Sequence, residues 1–177
     1  MRTYKQKRLR MNSMEVAALF KTYRTKKDLI RYAKKTPQLF LLLIQESLLP
    51  KSEDAWRAAW LLGHIQKPDD IRLFPYLDRF LEIMNQCSDG HQRQLLIILN
   101  KMRLNEDQQG LAFDCALTIW EAIGKIPSVR ISAFDVLLRI AESHPELRNE
   151  IEHWAQPMYT DSLSPGIRNS LFRRLKK

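Results

Sequence analysis

Residues 52–65 have the sequence SEDAWRAAWLLGHI, and a related pattern returns three times further along the chain. The related segments are DGHQRQLLIILNKM at 89–102, IPSVRISAFDVLLRI at 126–140 and SPGIRNSLFRRLKK at 164–177. Aligning one arginine from each segment gives spacings of 36, 37 and 38 residues (Arg57, Arg93, Arg130 and Arg168). Self-similarity at a period of about 20–50 residues is typical of a repeat architecture. The alignment therefore predicts that these arginines occupy equivalent places on successive helices.

The same alignment predicts which side chains pack in the core. Apolar residues follow each arginine at the third position (Trp60, Leu96, Ala133, Leu171) and at the fourth (Leu61, Ile97, Phe134, Phe172). Positions three and four apart share one face of an α-helix. We therefore expect Trp60, Leu96 and Phe134 to be buried.

The rest of the chain reads as helices joined by short links, with no Asn-Gly or Asp-Gly turn between alternating β-branched residues. Apolar periodicity places helices near 13–23, 26–35, 37–49, 52–66, 69–86, 90–103, 106–124, 128–142, 145–157 and 165–176. Pro75 falls within the fifth helix, which therefore either kinks there or restarts with Pro75 in its first turn, and a break at Phe74 is the favoured version. Capping side chains lie at or near a proline that suits the first helical turn at Thr36, Ser143 and Ser164, and plausible N-caps elsewhere are Ser52, Asp89, Asn105 and Ser128.

After residue 65 the chain continues KPDDIRLFPYL at 67–77, and the two stretches together resemble a HEAT repeat of the short bacterial style. The likeness covers residues 37–177, and residues 13–49 fit as an N-terminal helical cap. It implies an all-α fold, a right-handed α-α superhelix of stacked antiparallel helix pairs in one domain over 1–177. By this resemblance, the second helices of the pairs line a concave, partner-binding surface (69–86, 106–124 and 145–157).

The charge of the chain is unevenly distributed along its length. The net charge is +9, but residues 1–36 hold 12 bases against 2 acids and residues 166–177 hold 5 bases against none. The middle is therefore acidic. Residues 1–12 carry five bases and few large apolar side chains, so we expect a mobile segment (Arg2, Lys5, Lys7, Arg8 and Arg10). It could be a solubilising tail, fold back on the acidic middle, or dock on an acidic protein or nucleic acid.

The sequence shows no assembled catalytic, cofactor-binding or metal-binding set. The four histidines (His64, His91, His144, His153) contain no pair four apart on one helix, and no glycine loop of a phosphate-binding type is present. Cys87 and Cys115 each lie in an apolar helical pattern, which favours buried thiols in a reducing compartment. Trp56 and Trp60, four apart, could stack on a base or a flexible ligand, although core packing is the favoured interpretation. Trp154 is the tryptophan that is the strongest candidate to face a partner in part, although core packing is the favoured interpretation for it as well.

These observations favour a non-enzymatic adaptor or scaffold that binds another protein through its concave face and basic N-terminal segment. The alternative is a nucleic-acid-binding protein that uses its basic ends, and a remote alternative is an enzyme such as a lyase without a visible site. No small-molecule substrate is indicated. The longest apolar run, 39–44, is far shorter than the roughly 20 residues that span a bilayer, and no secretory signal is visible. We therefore expect a cytoplasmic protein.

Overall fold

The computed structural model describes residues 14–23 and 25–175, and every regular element in these ranges is helical. The α-helices are α1 (14–22), α2 (Lys26–Lys35), α3 (Gln38–Ser47), α4 (Ala55–Ile65), α5 (Leu77–Ile83), α6 (Asp89–Leu99), α7 (Glu106–Glu121), α8 (Pro127–Ala141), α9 (Arg148–Trp154), α10 (Pro157–Thr160) and α11 (Pro165–Leu175). Short 3-10 helices cover Phe74–Tyr76, Met84–Gln86 and Pro145–Leu147. The all-α prediction is confirmed.

The predicted break at Phe74 is also confirmed. Residues 71–73 form turns, Pro75 lies in the 3-10 helix, and α5 begins only at Leu77. The proline ring fixes its own φ angle and lacks an amide donor, so it suits an opening turn and not a helix interior. The long helix predicted over 69–86 is therefore three short pieces.

A side-chain cap explains where α7 begins. Asn105 caps α7 as predicted: its side chain accepts from the Gln108 amide at 2.8 Å, and the Asn105 amide donates to the side-chain oxygen of Gln108. The predicted caps Ser52, Asp89 and Ser128 were wrong, because the N-cap positions of α4, α6 and α8 are Asp54, Ser88 and Ile126. The short helix α10 was not predicted at all.

The chain forms two compact units, Met1–Met102 and Arg103–Lys177. In the first unit α4 packs against α2, α3 and α6. In the second, α7 pairs with α8, and α9 and α11 also contact α8. Pairing of consecutive helices is the arrangement expected of helical repeats. A single domain over 1–177, and the right-handed superhelical twist, stay predictions.

The repeat is real, but its register differs from the one that the arginines suggested. In α4, α6 and α8 five consecutive residues show two buried positions, one partly exposed position and two buried positions, at 58–62, 95–99 and 133–137. These blocks are 37 and 38 residues apart, whereas the arginine alignment gave 36 and 37. In the register set by burial, Arg130 matches Gln92 and Ala55, which are buried as well. In this register the arginines are not equivalent, and their burial differs as well, since Arg57 and Arg93 are partly exposed and Arg130 is buried.

The corrected register explains one failed burial prediction and two that hold. Leu96 and Phe134 are buried, at 1% and 0% exposure, so both predictions are confirmed. Trp60 is only partly buried, and the prediction for it was wrong. It occupies the middle, partly exposed place of its block, which Ile97 and Asp135 occupy in the next two.

A buried arginine holds the second unit together. Arg130 is 1% exposed, and its guanidinium donates to the Trp120 carbonyl at 2.9 Å, the Ser162 hydroxyl at 2.8 Å and the Tyr159 carbonyl at 2.7 Å. Its charged end also lies 4.7 Å from the centre of the Trp120 ring. Burial lowers the pKa of Arg130, but a guanidinium remains charged in proteins. One side chain thus joins α7, α8 and the segment around α10.

A buried histidine in the first unit has a consequence for pH. His91 is 2% exposed, and its Nε2 lies 3.0 Å from the Ser47 carbonyl, so Nε2 carries the proton and donates in the neutral ring. Burial lowers the pKa of His91 below its ordinary value, against a smaller opposing effect of this hydrogen bond. The neutral imidazole of His91 is therefore the form that is buried in the folded protein.

We expect this histidine to destabilise the fold as the pH falls. Below about pH 6.5 the unfolded chain binds a proton that the native His91 takes up only at lower pH, so the free energy of unfolding falls as the pH drops through this window. Urea unfolding of the wild type and of His91→Gln, measured above and below about pH 6.5, should show a smaller pH dependence in the variant. His64→Gln, at an exposed site, is the control. Equal pH dependence in the wild type and His91→Gln would contradict this assignment.

Candidate binding surfaces

A groove of about 810 Å³ lies in the first unit, beside α2 and α3 and the loop that follows α4. We call it the loop groove. Ala33 and Lys34 of α2, Pro37 and Phe40 line one part of it, and residues 64–72 line the rest. Its lining thus joins apolar side chains to the polar groups of a loop, a mixture typical of binding clefts.

Hydrogen bonds to the end of α6 hold the loop in place. The Asp69 amide donates to the Lys101 carbonyl at 2.9 Å, and the Lys101 ammonium donates to the Gly63 carbonyl at 2.6 Å, near the C-terminus of α4. Asp69 has a φ of 51°, in the left-handed region that suits a tight turn and that aspartate tolerates better than most residues. The wall of the loop groove is therefore formed by fixed backbone.

An ion pair fixes the other end of the loop. The Asp70 carboxylate, 5% exposed, accepts from Arg72 Nε at 2.8 Å and Nη2 at 2.7 Å, and it also accepts from the Lys67 amide. The Arg72 guanidinium lies 3.4 Å from the centre of the Phe40 ring. Hydrogen bonding from Arg72 lowers the pKa of Asp70 against the opposing effect of burial. Asp70 therefore stays ionised and ties the loop to α3.

The open side of the loop groove carries an apolar side chain and two ammonium groups. Ile71 is 79% exposed, and Lys34 and Lys67 are exposed beside the groove. No sequence pattern pointed to these residues. The helix predicted over 69–86 begins at the aspartate pair before Ile71, where the structure has a loop.

A second, smaller groove of about 250 Å³ lies between α1, α2 and α4, and we call it the aromatic groove. Its rings come from Phe20, Tyr23, Trp56 and Trp60, and Lys26 and Arg57 also line it. Trp56 is 46% exposed, which is unusual for so large an apolar ring. The favoured core interpretation of Trp56 and Trp60 was therefore wrong for Trp56 and right only in part for Trp60.

A family model described as a HEAT repeat domain matches residues 8–177, which is nearly the whole chain. The chain belongs to the HEAT repeat family. No curated protein and no solved structure matches it. Members of this family commonly act as protein-interaction scaffolds and are typically not enzymes. The resemblance seen in residues 52–77 therefore extends over nearly the whole chain.

The tryptophan that was expected to face a partner lies inside this HEAT repeat protein. Trp154 is 7% exposed, and its ring packs near Phe113 with 5.5 Å between the ring centres. Its carbonyl accepts a bond from the Trp120 indole at 3.0 Å. The side chain and backbone of Trp154 both serve packing against α7, so we correct its assignment as a partner contact.

The other predicted contact residues of the HEAT repeat protein lie outside the described residues. They are Arg2, Lys5, Lys7, Arg8 and Arg10. The helices that were expected to line a concave face are present in part, as α5, α7 and α9. That these helices line a concave face, and that this face binds a partner, both stay predictions.

Reactive and metal-binding groups are sparse over the described ranges 14–23 and 25–175. There, no group of three or more histidine, cysteine or acidic side chains could hold a metal ion. Cys87 is buried, and burial raises the pKa of its thiol to about 11; burial and Asp114 raise the pKa of the half-buried Cys115. Both thiols are therefore protonated at neutral pH. None of the helices described is long and apolar enough to cross a membrane.

Proposed function

We propose that this HEAT repeat protein is a non-enzymatic scaffold that binds an extended segment of another protein in the loop groove. The observation that carries the proposal is a groove whose wall is already fixed by hydrogen bonds and an ion pair while its apolar rim residue, Ile71, is exposed. The family supports a protein partner in general. The loop groove adds a specific surface on which such a partner would bind.

Preorganisation favours this site over the other exposed side chains of the protein. A loop that must become ordered on binding subtracts that cost from the affinity, whereas residues 67–72 are held before any partner arrives. Covering Ile71 removes apolar surface from water and contributes about 1.5–3 kcal/mol for a fully buried side chain of this size. The groove therefore offers a gain in apolar burial at little ordering cost.

The charges beside the loop groove suggest what the bound segment contains. Lys34 and Lys67 are exposed, whereas the Asp70 carboxylate is engaged by Arg72. A segment with an apolar residue for Ile71 and acidic residues for the two lysines has complementary charge. The proposal extends to the basic N-terminal residues (Arg2, Lys5, Lys7, Arg8 and Arg10), which we assign to the same acidic partner. Free cysteines fit a partner in a reducing compartment such as the cytoplasm.

We expect Ile71→Asp to weaken partner binding by about tenfold or more, because it places a carboxylate at the apolar rim and loses the burial of isoleucine. Proteins captured from native-host lysate by the immobilised wild type are identified, and the affinity of the purified partner is then measured by calorimetry. Ile123→Asp is the matched control, since Ile123 is 57% exposed and lies in the other unit. A chain lacking residues 1–12 should bind more weakly, and the difference should shrink as salt screens the charges.

Two results would contradict the proposal. In one, a purified partner binds wild type and Ile71→Asp with equal affinity, which removes the loop groove as the site. In the other, Ile123→Asp weakens binding as much as Ile71→Asp does, which points to a general effect of added negative charge.

A further inference from the structure

The aromatic groove has a feature that the loop groove lacks, indole rings at its surface, and it shares with the loop groove the basic helix α2. Trp56 and Trp60 lie one turn apart on α4, and the His64 ring follows with its centre 4.4 Å from that of Trp60. Positions four apart rise about 6 Å along a helix. The three rings therefore form an aromatic stripe along the exposed side of α4.

Positive charge surrounds this stripe. Over the described residues among 14–35, six exposed side chains are basic (Lys21, Lys26, Lys27, Arg31, Lys34 and Lys35) and two are acidic (Glu15 and Asp28). Asp28 is already engaged, because its carboxylate accepts from Arg31 at 3.2 Å and from the Thr25 hydroxyl at 2.6 Å. The Lys26 ammonium lies 5.9 Å from the centre of the Trp60 ring, at the groove itself. A ligand on the stripe therefore meets cations along one side.

The rings of the groove are held in place by contacts that leave the Trp56 ring open. The Arg57 guanidinium lies 4.5 Å from the centre of the Phe20 ring and pairs with Asp54 at 3.4 Å. Tyr23 stacks on Tyr32 with 4.8 Å between the ring centres. These contacts fix the walls, while Trp56 keeps 46% of its surface exposed. The groove is thus a preformed platform for a flat ring.

We propose that the aromatic groove binds single-stranded nucleic acid, with bases stacked on Trp56 and Trp60 and phosphates held by Lys26 and the other lysines of α2. Aromatic platforms beside a basic track are how proteins hold single strands without reading their sequence. The cavity of about 250 Å³ has room for a planar base but not for a stacked duplex. An acidic peptide would use the lysines but would leave the indole face without a partner, so the observations favour the nucleic acid.

The test uses the full chain and a fluorescent oligothymidylate of about 12 nucleotides, a length within the usual range for such sites. Anisotropy at about 50 and 200 mM salt should show binding that weakens as salt rises, since each phosphate contact releases counterions. The oligonucleotide should also quench tryptophan emission. Trp56→Ala should weaken binding about tenfold or more, whereas Trp56→Phe should retain most of the affinity because it keeps a ring. Trp56 is exposed, so neither change removes a core side chain.

Matched controls separate stacking from general charge or aromatic effects. Phe172→Ala removes a ring that is 42% exposed and precedes Arg173 and Arg174 in the other unit, and it should not change binding. Lys26→Glu should weaken binding, and Lys51→Glu, at another exposed lysine of the first unit, should weaken it less. Ile71→Asp should have little effect, which keeps this test independent of the loop groove.

Three outcomes would overturn the inference. The oligonucleotide could fail to bind at low salt. Trp56→Ala could bind as well as the wild type, which would leave only a charge effect. Polyglutamate of matched length could displace the oligonucleotide and be as sensitive to Trp56→Ala, which would make this a site for acidic polypeptides.

Discussion

Arg130→Met is expected to lower the free energy of unfolding of the second unit by about 3–5 kcal/mol, by analogy with breaking a buried charged interaction. Methionine approximates the length of the aliphatic stem, but it donates no hydrogen bond. The carbonyls of Trp120 and Tyr159 and the hydroxyl of Ser162 then lose the guanidinium donors that they now share. An unsatisfied buried polar group costs about 1–3 kcal/mol, which is why the expected effect is large.

Urea unfolding followed by tryptophan fluorescence measures this effect, in a background with Trp56 and Trp60 changed to phenylalanine. The remaining tryptophans, Trp120 and Trp154, both lie in the second unit. Arg168→Met is the matched control: Arg168 belongs to the same sequence alignment, but it forms an exposed pair with Asp161 at 2.9 Å, worth up to about 1 kcal/mol. Similar losses for the two variants would refute the role assigned to Arg130. Arg130→Lys should also be destabilising, because one ammonium cannot reproduce a planar fork of donors.

Leu96→Ala is expected to lower the free energy of unfolding of the first unit by about 2–5 kcal/mol, the usual range for removing a large side chain from a core. Leu96 is 1% exposed and lies in the first buried pair of positions shared by α4, α6 and α8. The truncation leaves a cavity that the neighbouring side chains fill only in part. Native-state hydrogen exchange of the α6 amides reports the loss in this unit directly.

The neighbouring Ile97→Ala provides the control for Leu96→Ala. Ile97 is partly exposed, so its truncation removes less buried surface and should cost clearly less. A loss of under about 0.5 kcal/mol for Leu96→Ala would refute the assignment of this face. Equal losses for the two variants would show that the register set by burial does not describe the packing of α6.

Much of the fold could be predicted because local signals decide where helices begin and end. Asn105 caps α7 through its own side chain, and Pro75 stops a helix by its ring, so both features act within a few residues. The apolar period also placed Leu96 and Phe134 in the core. These are properties of short segments, and they do not depend on what the rest of the chain does.

The register and the candidate sites depended on packing that short segments do not specify. Arg57, Arg93 and Arg130 look alike in sequence, but only Arg130 is buried, because acceptors from a segment some 30 residues later surround it. Trp154 looked available for contact and is covered by Phe113. Conversely, the loop groove depends on a bond from Asp69 to Lys101, which no local pattern shows.

The left-handed backbone at Asp69 separates what can vary in the loop from what cannot. At a φ of 51°, asparagine and glycine are suitable replacements. A β-branched residue would strain the turn and disturb the hydrogen bond from the amide of residue 69 to the Lys101 carbonyl. Ile71, two residues later and 79% exposed, carries no such restriction on its side chain. In evolution the wall of the groove can therefore keep its shape while the side chain at its rim is exchanged. Under the proposed binding in the loop groove, a substitution at position 71 would change the partner while leaving the stability of the fold nearly unchanged.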